Sequence, residues 1–146
     1  MITAKQLMKT SVITIGKDED IYEAMRMMAL NNITGLPVVD DEGTLVGIIT
    51  EKDILALLCH RLEDTGLDRA TGNVGQFMTR RVMCFHPEDS LSDIAECLSS
   101  NNFRRVPILD NGKLAGIISR RDVIRYIRDL QQQDEVLKDS ILELLY

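Results

Sequence analysis

The chain carries one run of residues twice, and this repeat limits what it can fold into more than any other feature. Leu36-Pro37-Val38-Val39-Asp40, a Gly-containing turn and Leu45-Val46-Gly47-Ile48-Ile49-Thr50-Glu51-Lys52-Asp53 return as Val106-Pro107-Ile108-Leu109-Asp110, a second Gly turn and Leu114-Ala115-Gly116-Ile117-Ile118-Ser119-Arg120-Arg121-Asp122. The step is 70 positions from 37 to 107 and 69 from 53 to 122, so the second turn is one residue shorter. Units duplicated in this way pack on one another and place equivalent groups around a shared cleft.

The repeat extends upstream of each run. Val12-Ile13-Thr14-Ile15 and Val82-Met83-Cys84-Phe85 occupy equivalent places and predict short strands. Ile21, Ala24, Met25 and Met28, matched by Leu91, Ile94, Ala95 and Leu98, recur at helical spacing and predict one amphipathic helix per copy. Both helices run into an Asn pair, Asn31-Asn32 and Asn101-Asn102, whose side chains tolerate the left-handed geometry that closes a last turn. Asn111-Gly112 is a strong hairpin signal, with Asp40 to Thr44 as its longer counterpart. A second helix is expected from about Glu51 and about Arg120. Each copy thus reads β-α-β-β-α, an α+β unit too small to close its own core, whose sheet must offer one face to helices and another to its twin.

With 146 residues and 45% hydrophobic content, the chain fits two intimately packed halves. Residues 1–60 form the first motif, 61–73 with Gly66 and Gly72 a connector, 74–128 the second motif and 129–146 a helical tail. Along that tail Val123, Ile127, Leu130, Leu137, Ile141 and Leu144 keep three-four spacing, while Gln131 to Gln133 and Asp134 interrupt it, which suggests packing on its own module or on a partner and a break into two helices. The formal charge of −6 argues against a nucleic-acid binder driven by net charge. No signal-peptide pattern and no membrane-length apolar run occur, so a cytoplasmic location away from membranes is the default expectation. Cys59, Cys84 and Cys97 form no close pair and read as small apolar core residues; the methionines read as core filler, and His60 and His86 stand alone.

The sharpest local feature is the junction Gly-Ile-Ile-(Thr/Ser)-x-x-Asp. Thr50 or Ser119 suits a helix N-cap, with Asp53 or Asp122 three residues on as its capping-box partner, so stability alone accounts for either pair. The same groups at a helix N-terminus also suit a sugar and its phosphate: the carboxylate takes vicinal hydroxyls while the helix end favours the anion. Occurring twice in a duplicated module, they favour the ligand reading. No nucleophile-base pair, metal cluster or Gly-rich phosphate loop points to an enzyme.

In these runs, and in the lead-ins Ala4-Lys5-Gln6-Leu7-Met8 and Val74-Gly75-Gln76-Phe77-Met78, the chain resembles tandem cystathionine-β-synthase-type (CBS) domains, the pairs called Bateman modules. The resemblance covers nearly all of residues 3–128. It implies a pseudo-two-fold pair of motifs with two clefts that accept AMP, ADP, ATP or S-adenosylmethionine as regulatory ligand, no required cofactor, a disc-like homodimer and a protein target. It also implies Asp53 and Asp122 as ribose-binding acids with Thr50 and Ser119 beside them. Ile33 and Thr34 would lie at the adenine of one cleft, Phe103 and Arg104 at that of the other. Arg104 and Arg105 stand where the family often carries a phosphate-binding His or Arg, whereas the first copy has Thr34 and Gly35. Arg120 and Arg121 replace Glu51 and Lys52. Four arginines near an expected anion site predict a stronger cleft that uses Asp122 and Ser119, with Arg121 among the candidate ligand-binding residues and Arg104 and Arg105 serving that cleft or its twin. The alternative is a structural pairing module whose clefts stay unoccupied.

Overall fold

The computed structural model describes residues 1–64 and 72–145. Its first half contains β1 (Ile15–Gly16), α1 (Ile21–Asn31), β2 (Gly35–Val39), β3 (Leu45–Thr50) and α2 (Glu51–Asp64). Then come a short α3 (Val74–Phe77), α4 (Leu91–Ser100), β4 (Arg105–Asp110), β5 (Lys113–Ser119) and α5 (Arg120–Leu145). Strands β1, β2 and β3 form one sheet in that order, with β1 parallel and β3 antiparallel to β2. Strands β4 and β5 form an antiparallel pair, and Phe85 stands in for β1 through one parallel bridge to Ile108. This is the expected α+β repeat with a C-terminal helical extension.

The first strand of each copy is shorter than its β-branched run predicts. Residues 12–14 and 82–84 make no ladder, and pairing begins only at Ile15, against Val38, and at Phe85. Side-chain branching favours extended backbone, but a strand also needs a neighbouring edge.

Helix α1 starts at an Asp20 carboxylate that accepts from Tyr22 N–H at 2.8 Å, and α4 at a Ser90 hydroxyl that accepts from Asp93 N–H at 3.1 Å. Their buried residues, Ile21, Ala24 and Met28 against Leu91, Ile94 and Leu98, are those of the helical spacing. The C-termini differ from expectation in one copy. Asn32 is left-handed at φ 51°, but Asn101 is extended at φ −128°. The carbonyls of Leu98 and Asn101 instead accept from the Arg120 guanidinium at 3.2 and 2.6 Å. Position 51, the equivalent of 120, is Glu, which has no such donor.

Both hairpins carry a bulge at the same place, Val38/Val39 and Ile108/Leu109. Asn111 and Gly112 both have positive φ, 52° and 77°, as a tight primed turn requires.

The lead-in segments change partners. Thr3 bridges Ser90 and Lys9 bridges Ile117, so the first lead-in lies on the second half; Asn73 bridges Asp20 and Thr79 bridges Ile48, so the second lies on the first. Val74 and Met78 are buried in the core of Ile21, Leu36, Val38 and Ile49, while Ala4 is buried with Ile94, Val106, Ile108 and Ile118. Gly47 and Gly116 permit the crossing. A Cβ at Gly47 would lie 2.7 Å from Met78 Sδ and 2.7 Å from the Thr79 carbonyl, and one at Gly116 would lie 2.7 Å from Met8 Sδ. Neither half completes its core without the other's lead-in, which accounts for their intimate packing.

Helix α2 continues to Asp64, into the stretch read as connector; residues 65–71, Tyr146 and the His60 side chain lie outside the described residues. Helix α5 is unbroken for 26 residues, so the predicted interruption does not occur: Gln131 to Gln133 and Asp134 change the polarity of one face but are compatible with helix, and no Gly or Pro intervenes. From Ile127 to Leu144 every residue is exposed, so the tail does not pack on its own module. Cys59 is exposed, contrary to its reading as core, because it lies on the outer side of α2; Cys84 and Cys97 are half-buried. No helix among the described residues is long and apolar enough to cross a membrane.

Candidate functional site

A cavity of about 360 Å³ opens where the N-terminus of α2 faces residues 79–83 and 102–105. At its first-half wall, Thr50 and Asp53 form the anticipated reciprocal cap. The Asp53 Oδ2 accepts from Thr50 N–H at 2.9 Å and from the Thr50 hydroxyl at 3.0 Å, and Asp53 N–H donates back to Thr50 Oγ1 at 3.4 Å. The crossing lead-in adds a third group: the Thr79 hydroxyl donates to Asp53 Oδ1 at 3.0 Å. Thr50 and Thr79 line the cavity, and the half-buried Asp53 stands immediately behind them. A carboxylate offers about four acceptor positions, so its Oδ1 keeps capacity for a further donor.

The second half supplies the opposite wall. Arg105, half-buried on β4, donates from Nη2 to Thr34 Oγ1 at 2.8 Å and from Nη1 to the Gly35 carbonyl at 3.5 Å. Burial pushes its guanidinium below the ordinary arginine value, opposed by Asp122 and Glu51 and reinforced by Arg104. It remains a cation. Arg81, Arg104 and Lys52 are exposed cations at the rim, with Glu51 among them. Ile48, Val82, Met83 and Phe103 provide apolar surface. Hydroxyls and a carboxylate at a helix N-terminus, an apolar wall and guanidinium groups can together hold a polyol, a flat ring and an anion.

The twin junction has the same cap but different company. The Asp122 Oδ2 accepts from Ser119 N–H at 2.9 Å, and Asp122 N–H donates to Ser119 Oγ at 3.1 Å. Its other oxygen lies 3.4 Å from the Lys9 ammonium, and the residue is only 8% exposed.

Of the residues predicted from the sequence, Thr34, Thr50, Phe103, Arg104 and Arg105 line one cavity with Asp53 behind it. Ser119, Asp122, Arg121 and Ile33 are not among its walls. The cleft that Arg104 and Arg105 serve, left open by the sequence, is the one beside Thr50 and not the one beside Ser119 and Asp122. Arg104 and Arg105 face Thr50 across the cavity, Arg120 is engaged at the end of α4, Arg121 is exposed outside the lining, and Ile33 packs on the first core. The sequence reading missed Thr79, Arg81, Val82 and Met83. Their signal was a hydroxyl and a cation just after the second lead-in, which gains meaning only once that lead-in is known to cross to the first half.

The CBS domain family model matches residues 4–60 and 74–129. The uncharacterized protein MJ1225 of Methanocaldococcus jannaschii is 32% identical over 123 residues; the alignment spans 84% of this chain but only 42% of that relative's length. Among solved structures, CBSX2 in complex with AMP superposes at a TM-score of 0.79 with 29% identity, over 90% of this chain and 99% of that one. The CBS domain pair of protein MJ0100, in complex with 5'-methylthioadenosine and S-adenosyl-L-methionine, superposes at 0.75 with 28% identity, over 88% and 98%. With both copies matched in register and the whole pair superposing, the chain belongs to the CBS domain family and is a tandem CBS pair.

Proposed function

We propose that this protein is a regulatory CBS pair that binds an adenosine-containing ligand, AMP, ADP, ATP or S-adenosylmethionine, in the cleft between its motifs and signals to a partner through a change in conformation or assembly. The observation that carries this reading is the Thr50, Asp53 and Thr79 cluster at the N-terminus of α2, set across a cavity from Arg104 and Arg105. The ribose would take the hydroxyl and carboxylate groups, adenine the apolar wall of Val82, Met83 and Phe103, and phosphate the arginines. The AMP complex of CBSX2 and the adenosine-derivative complex of the MJ0100 pair support the ligand class. The ligand is a signal here and not a substrate.

Thermal unfolding with each of the four ligands at millimolar concentration tests this. A ligand present at 100 times its dissociation constant stabilises the native state by about 2.7 kcal/mol, a shift of several degrees for a domain of this size. No shift with any of them would leave a structural module with unoccupied clefts.

The assembly half of the proposal is a homodimer joined through α5. Ile127, Leu130, Leu137, Ile141 and Leu144 all expose large apolar side chains. An open apolar hollow lined by Met1, Ile2, Leu91, Val123 and Ile127 continues this surface onto the body of the protein. Exposed large apolar side chains repeated along one helix in this way support an interface there, even with Asp134 interrupting the stripe. Light scattering is expected to return twice the chain mass, and a Leu137→Glu/Ile141→Glu variant is expected to return the chain mass itself. A monomeric native protein would refute the dimer.

A further inference from the structure

The two clefts descend from one repeated unit, yet different residues fill two equivalent positions in them. Lys9 and Thr79 are counterparts. Lys9 N–H donates to the Ile117 carbonyl and the Lys9 carbonyl accepts from Ile117 N–H, both at 3.0 Å; Thr79 N–H donates to the Ile48 carbonyl at 2.8 Å and the Thr79 carbonyl accepts from Ile48 N–H at 2.9 Å. From these matched places the Thr79 hydroxyl reaches Asp53 at 3.0 Å, and the Lys9 ammonium reaches Asp122 at 3.4 Å. Gly35 and Arg105 are counterparts as well: Gly35 pairs with Thr50 across the first hairpin, and Arg105 with Ser119 across the second. The absent side chain at Gly35 leaves space beside Thr50. Beside Ser119 the corresponding space belongs to a guanidinium-bearing chain that spans to Thr34 and Gly35.

These differences act in one direction. The Asp53 carboxylate is held by neutral hydroxyl and amide donors, which a sugar hydroxyl can join or replace at small cost. The Asp122 carboxylate, 8% exposed, already has an ammonium beside it, and the field of Asp122 also bears on Arg105. A neutral sugar hydroxyl entering there would have to compete with the ammonium of the exposed Lys9 for a carboxylate that is itself buried, which is the more costly exchange. We infer that Lys9 is a specificity-determining residue that holds Asp122 in an ion pair beside the Arg105 chain, so that the protein takes one adenosine ligand per chain, in the Asp53 cleft. The inference rests on the adenosine reading above and adds which of the two clefts is used and why.

Isothermal titration with AMP tests it on the full chain. The wild-type protein is expected to bind one equivalent. Asp53→Asn should abolish the measured heat or weaken binding at least tenfold, while Asp122→Asn should leave the single equivalent and its affinity within about twofold. Lys9→Thr, which gives the second cleft the residue that stands at Asp53 and leaves Arg105 in the wall of the first, should take up a second equivalent. Two equivalents in the wild-type protein would overturn this inference and leave the adenosine reading standing, as would a single equivalent lost in Asp122→Asn and retained in Asp53→Asn. A folded Lys9→Thr variant that still binds one equivalent would overturn the role given to Lys9. If that variant does not fold, the stoichiometry and the two single carboxylate variants decide the matter. Silence of every folded variant with AMP, ADP, ATP and S-adenosylmethionine would overturn the adenosine reading and this inference with it.

Discussion

Asp53→Ala is expected to weaken AMP binding by about tenfold to more than a hundredfold while the protein stays folded. A hydrogen bond to a charged acceptor is worth about 1.5–3 kcal/mol, and each 1.4 kcal/mol is a factor of ten in affinity. The substitution removes the acceptor of both the Thr50 and Thr79 hydroxyls, so it takes away the ribose partner and the group that orients its neighbours. The effect on folding should be smaller. Losing the reciprocal cap at the start of α2 costs about 1 kcal/mol, and urea unfolding separates that loss from the loss of binding. An unchanged dissociation constant for AMP would remove the Asp53 cleft from the function of this protein.

Ile49→Ala is expected to cost about 2–5 kcal/mol of stability, the largest effect of any single substitution considered. Ile49 is fully buried on β3, opposite Leu36 in the register of the first hairpin. It belongs to the same core as Val74 and Met78 from the second lead-in, so a void there loosens the segment that places Thr79 at Asp53. Urea denaturation should show a lower midpoint in one cooperative transition, because each core contains part of the other half's chain. A loss below about 1 kcal/mol, or two separate transitions in the wild-type protein, would contradict the interlocked core described above.

Much of the local structure was legible residue by residue. The helical spacing of Ile21, Ala24 and Met28 marked the buried face of α1, and Asn111-Gly112 marked a primed hairpin turn, because both signals depend on neighbours within a few positions. The same holds for the Thr50–Asp53 and Ser119–Asp122 caps, whose partners are three residues apart. Local signals failed where a distant group intervened. Asn101 had the composition of a left-handed cap, but Arg120 reached the end of α4 from another element. Val12 to Thr14 had the composition of a strand but no edge to pair with.

The sequence alone determined that this chain is a duplicated α+β unit with a capped, acid-bearing helix start in each copy, since periodicity, turn chemistry and capping are short-range properties of the backbone. Only the tertiary structure decided which acid faces an open cleft. That choice turns on Lys9 and Thr79, which arrive from lead-ins that cross to the opposite halves, and on Gly35 and Arg105, which meet across the pair. Contacts separated by tens of residues leave no periodic trace, so the two junctions read as equals until the fold set a hydroxyl beside one and an ammonium beside the other.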